Sequence, residues 1–140
     1  MKVITKIALA LVTFLNISFV FAHGEDKPGP HGGFIRMPGT FHTELIPEGK
    51  NKLKVFLLDM KWKNPSIKKS SLQISYSKDI DSKCKIQRNF YICTFPDSVD
   101  LTKQGELKVT AEREEQKGME VSYPLPLKLN VVEDEHSSHH

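Results

Sequence analysis

The chain has 140 residues, with 20 Lys and Arg against 17 Asp and Glu and a formal net charge of +3. Two of the lysines, Lys2 and Lys6, fall in an amino-terminal leader, so the remainder carries 18 basic and 17 acidic residues. A chain so nearly neutral gives no electrostatic reason for nucleic-acid binding, and its length holds one domain with a real core rather than two.

Met1 to Ala22 has the pattern of a secretory signal: a short basic start, an apolar run from Ile7 to Phe21, and Val20-Phe21-Ala22 at the end. The run is shorter than the roughly 20 residues of a membrane span. Cleavage after Ala22 leaves His23 as the new amino terminus and no membrane span behind it. The expected location is therefore periplasmic or secreted.

Residues 23–39 are rich in Gly and Pro and read as an extended, histidine-bearing arm. Period-two patterns then take over through a domain expected at 40–132. In "FHTELI", Phe41, Thr43 and Leu45 alternate with His42 and Glu44. "KLKVFLLDM" becomes apolar on both faces, as a central strand does. "SLQISYS" and "ELKVTAE" alternate Leu72, Ile74, Tyr76 and Leu107, Val109, Ala111 with polar residues. In "MEVSYPLPLKLN" one face runs from Met119 through Val121, Tyr123, Leu125 and Leu127 to Leu129, which makes Met119 a packing residue. Pro124 and Pro126 on the other face mark an edge strand. Turn signals separate the runs and no helical period occurs. About seven short strands predict an all-β, immunoglobulin-like antiparallel β-sandwich. Trp62, just past the central strand, is placed to cap the core. Residues 133–140 form an acidic, histidine-rich tail.

Cys84 and Cys93 flank "KIQRNFYI", a spacing that suits a disulfide across a hairpin with Arg88 and Asn89 near its turn. The spacing is not that of a CxxC redox or metal motif.

The six histidines are His23, His31, His42, His136, His139 and His140. None falls in the strands after Glu44, so packing roles are not expected of them. A terminal histidine chelates through its α-amine and one ring nitrogen, and a second histidine completes a nitrogen-rich set that suits Cu(II). His31 or His42 would supply it. Glu44 shares a strand face with His42 and would be a ligand or orient an imidazole. Met37 is the best placed thioether, ahead of Met60 and Met119.

"GPHGGFIRMPGTFHTEL" resembles the His-Gly-Gly segment and aromatic-x-x-Glu strand of small exported proteins and of periplasmic adaptor subunits in heavy-metal efflux systems. The strands that follow look like YtkA-like (FixH-like) β-sandwich domains. The likeness covers the first third by motif and the rest by strand pattern. The terminal histidine is similar in kind to that of CopC-type copper carriers, whose remaining pattern is not evident here. The resemblance implies periplasmic metal handling, with His31, His42 and Glu44 at the motif positions.

The expected function is a non-enzymatic metal-binding protein. Copper is the leading ion and zinc the second, and the chain would act as a carrier, a buffer or the partner of a membrane efflux or assembly protein. The alternatives are an interaction module with incidental histidines and a histidine-brace copper monooxygenase. No Ser-His-Asp, Cys-His or phosphate-loop pattern is present.

Overall fold

The computed structural model describes residues 27–128. The leader, His23 and the tail from Glu133 to His140 lie outside them. Among the described residues ten strands are formed: β1 Phe34–Arg36, β2 His42–Gly49, β3 Lys52–Leu58, β4 Ser71–Tyr76, β5 Ile80–Asp81, β6 Lys83–Gln87, β7 Phe90–Thr94, β8 Gly105–Arg113, β9 Gln116–Lys117 and β10 Val121–Leu125. Among the described residues, no helix is long and apolar enough to cross a membrane.

One sheet has the order β1-β2-β3-β7-β6 and the other β10-β8-β4-β5, with β9 pairing to β8. Every pairing is antiparallel. The chain makes β2 and β3 in the first sheet, crosses for β4 and β5, returns for β6 and β7, and crosses again for β8 and β10. That alternation gives the immunoglobulin-like β-sandwich. The strand total exceeds the expected seven because β1, β5 and β9 are only two or three residues long. The arm also differs from expectation at Phe34–Arg36, which pairs with Thr43–Leu45 and belongs to the sheet.

The alternation in the sequence becomes the core directly. Leu45, Leu53, Val55, Leu57, Ile74, Leu107 and Val109 are fully buried between the sheets. Each such side chain contributes about 1.5–3 kcal/mol on leaving water. Tyr123 of β10 crosses this core, donating its hydroxyl to the Thr43 carbonyl (3.1 Å) and lying 2.7 Å from the Thr43 hydroxyl. Arg36 lies over its ring, 4.9 Å from the centroid.

The expected face of β10 holds from Val121 to Leu127 but not at Met119. Met119 is 77% exposed, because the strand begins only at Val121 and the Met119 amide bonds the Pro38 carbonyl instead. Alternation alone does not reveal where pairing stops.

β3 is buried on both sides, as its unbroken apolar run requires. Phe56 and Leu58 face away from the main core and form a second cluster with Phe90, joined by Ile46, Trp62 and Ile92. Trp62 thus covers the outer face of the first sheet rather than the core between the sheets. Opposite, Cys84 and Cys93 are register partners in the β6–β7 hairpin and form the expected disulfide. Arg88 and Asn89 make its two-residue loop. The bridge suits an oxidising compartment.

Candidate functional site

The arm returns on itself just before β1. Gly29 donates to the Gly33 carbonyl and Gly32 to the Gly29 carbonyl, both at 2.9 Å. Gly32 has φ +78°, a left-handed conformation that glycine adopts without steric cost. A Cβ on Gly33 would lie 2.7 Å from the Leu45 carbonyl oxygen. The two glycines after His31 therefore serve a tight turn and a close approach to β2.

That turn is anchored on Glu44. Its side chain is fully buried, and a buried carboxylate needs its hydrogen bonds filled. Oε1 accepts from the His31 amide at 2.8 Å and the Gly33 amide at 3.1 Å. Oε2 lies 2.7 Å from His31 Nδ1. A carboxylate only accepts, so the ring donates from Nδ1, and in the neutral ring Nε2 then carries the lone pair. The His31 ring also stacks on Phe56, with centroids 3.8 Å apart and planes 5° from parallel. Its side chain remains 36% exposed. His31 is therefore fixed on one edge and one face, at the protein surface.

His42 is used differently, against expectation. It is only 2% exposed. Its Nδ1 lies 3.0 Å from the Asp59 carbonyl oxygen and its Nε2 accepts from the Trp62 indole at 3.2 Å. A single tautomer, protonated at Nδ1, satisfies both. The imidazole is thus a packing residue that the sequence reading did not anticipate. Strand alternation does place His42 and Glu44 on one face, but the loop after β3 claims the histidine.

The Asp59 carboxylate builds that loop. It accepts from the Lys61 and Lys63 amides, both at 2.9 Å, and from the Asn64 side chain at 2.8 Å. These bonds, the Lys63 amide foremost, hold its acidity below the usual carboxylate range. The buried Arg113 guanidinium ties the loop down by donating to the Leu57 and Asn64 carbonyls at 3.3 and 2.7 Å.

Of the expected ligands, the structure brings together His31 and Glu44. Met37 is 51% exposed. His23 lies outside the described residues, as do His136, His139 and His140. Among the described residues, no group of three or more His, Cys, Asp or Glu side chains could hold a metal ion. Sequence reading missed Phe56 and Trp62 as partners of the two histidines. The signal available was the doubly apolar end of β3, which demands cover on its outer side.

No family model, curated protein or solved structure matches this chain.

Proposed function

We propose that the protein is an exported, non-enzymatic binder of copper, with His31 Nε2 as one ligand and Glu44 as the group that orients the ring. The observation that carries the reading is the clamp on His31. Metal-bound imidazoles characteristically donate their other N–H to a carboxylate, which fixes tautomer and orientation. Glu44 does this from a fully buried position, and Nε2 makes no hydrogen bond among the described residues. The partial exposure of the His31 side chain leaves access for an ion.

One imidazole is too few ligands. The remaining nitrogens in this reading come from His23, eight residues upstream, through its α-amine and ring. A nitrogen-rich set of that kind favours Cu(II) over harder ions, with Zn(II) as the competitor. The role is that of a carrier or buffer in the periplasm or outside the cell, delivering to or receiving from a membrane efflux or assembly protein. Met37, on the arm just beyond β1, adds a thioether for the reduced ion.

The test is titration with Cu(II) and Zn(II) of four chains: one starting at His23, the same chain with one extra residue ahead of His23, His31→Ala and His42→Ala. The extra residue turns the amine into an amide and should weaken binding, as should His31→Ala. His42→Ala should leave affinity unchanged while lowering stability. Equal affinity in the first three chains would end the proposal.

A further inference from the structure

The sandwich has four edges, and three of them are closed or too short to pair. β1 has three residues and β5 two. β10 carries Pro124, which has no N–H to offer, and its Ser122 carbonyl already accepts from Arg36 Nε at 3.2 Å. The fourth edge is β6, five residues long, with no described strand on its free side.

The register shows which groups β6 presents. Cys84 and Cys93 are direct partners with Cα atoms 4.0 Å apart, the close spacing of a non-hydrogen-bonded pair. Lys83, Lys85 and Gln87 therefore bond to β7. The N–H and C=O of Cys84 and Ile86 point outward.

A groove of about 750 Å³ lies over the outer face of β6 and β7, lined among others by Lys52, Asp81, Lys83, Lys85, Ile86 and Ile92. Most of these side chains share the outer face of the sheet, and Ile86, on the opposite face of β6, brings the groove to the edge strand. Ile86 is 57% exposed, one of the few large apolar side chains so placed. None of Lys52, Lys83 and Lys85 is in an ion pair among the described residues, whereas Lys54 and Lys108 both are. Lys83 and Lys85 would also oppose like charges if two β6 edges met, which argues against a second copy of this chain.

We propose that β6 is a docking edge for an extended segment of a partner protein that alternates acidic and apolar residues. The segment adds as a sixth strand, bonding the outward groups of Cys84 and Ile86. Its acidic side chains lie across from Lys83 and Lys85, and its apolar ones beside Ile86. The inference is independent of the metal reading.

The probe is a fluorescently labelled heptapeptide of alternating glutamate and valine, compared by anisotropy with its lysine–valine counterpart. The glutamate peptide should bind, more weakly as salt is raised. Lys83→Glu with Lys85→Glu should reduce its affinity by about tenfold or more and admit the lysine peptide instead. Ile86→Pro removes one outward N–H without touching the β6–β7 ladder, and should lose either peptide while keeping the disulfide and the melting temperature. Three results would overturn the proposal: no binding of the glutamate peptide, full binding to folded Ile86→Pro, or displacement of the peptide by inorganic phosphate alone. The exchange of peptide preference in the charge-reversed chain stands as a test even if Ile86→Pro fails to fold.

Discussion

Glu44 is the residue on which the arm depends, and replacing it two ways separates its structural from its chemical role. Glu44→Ala strands the His31 and Gly33 amides and frees His31 Nδ1. A buried donor left without a partner costs about 1–3 kcal/mol, so the two amides and the lost packing together give about 3–6 kcal/mol. In a domain of this size that lowers the melting temperature by more than about 10 °C. Glu44→Gln should cost only about 1–2 kcal/mol, because its carbonyl oxygen can still accept from both amides. Its amide nitrogen must then face His31 Nδ1 and can only donate. The imidazole responds by moving its proton to Nε2. Urea melts measure the first effect, and two-bond nitrogen–proton correlation spectra of the histidine rings report the second. A Glu44→Ala protein that melts within about 2 °C of the parent would refute the anchoring argument. A His31 ring still protonated at Nδ1 in Glu44→Gln would refute the tautomer argument. Neither readout involves a metal, so both test the geometry apart from the function built on it.

The two buried phenols should part company. The Tyr91 hydroxyl is buried and finds no partner among the described residues, so Tyr91→Phe should be neutral or stabilising by up to about 1 kcal/mol, whereas Tyr123→Phe should cost about 1–2 kcal/mol in urea melts. Burial raises the ionisation of both above the ordinary tyrosine value. The unfolded chain therefore loses these protons first as pH rises, and urea midpoints should hold up to about pH 10 and fall beyond it. Reduction of Cys84–Cys93 should cost about 2–3 kcal/mol for so short a loop, read as a fall in melting temperature with added dithiothreitol. Glu114 and Glu115 both have positive φ (48° and 68°) in the two-residue β8–β9 turn, so Glu114→Asn with Glu115→Gly should gain about 1 kcal/mol in thermal unfolding.

The sandwich was legible because its strands alternate and its turns carry Gly, Pro, Asn and Asp. Leu107, Val109 and Ala111 were placed inward by period alone, and the cysteine spacing located a hairpin. Met119 was misplaced because an apolar residue in phase with a strand keeps the phase after pairing has ended. The site was half legible. The glycines after His31 marked a turn, and the period put Glu44 and His42 on one face. Which of them the arm would engage depends on a loop that begins seventeen residues past His42, where the Asp59 carboxylate sets the turn that carries Trp62. That contact is long-range, and no local pattern encodes it.

The outer face of the first sheet ties these features together. The run Val55–Phe56–Leu57–Leu58 cannot hide both of its faces in one core, so its outer side must be covered by other parts of the chain. The arm covers Phe56 through His31, and the loop after β3 packs Trp62 into the same cluster. Cover of this kind leaves a rim, and His31 sits on it, partly exposed, with the buried Glu44 carboxylate beneath. Farther across the sheet the apolar surface thins to Ile92, and Lys54, lying 5.0 Å over the Phe90 ring and paired with Glu48, closes the covered half. Beyond that line Lys52, Lys83 and Lys85 keep the face open to water. A single strand too apolar for one core thus divides the sheet into a capped half that positions a histidine and a charged half that leaves an edge free to pair.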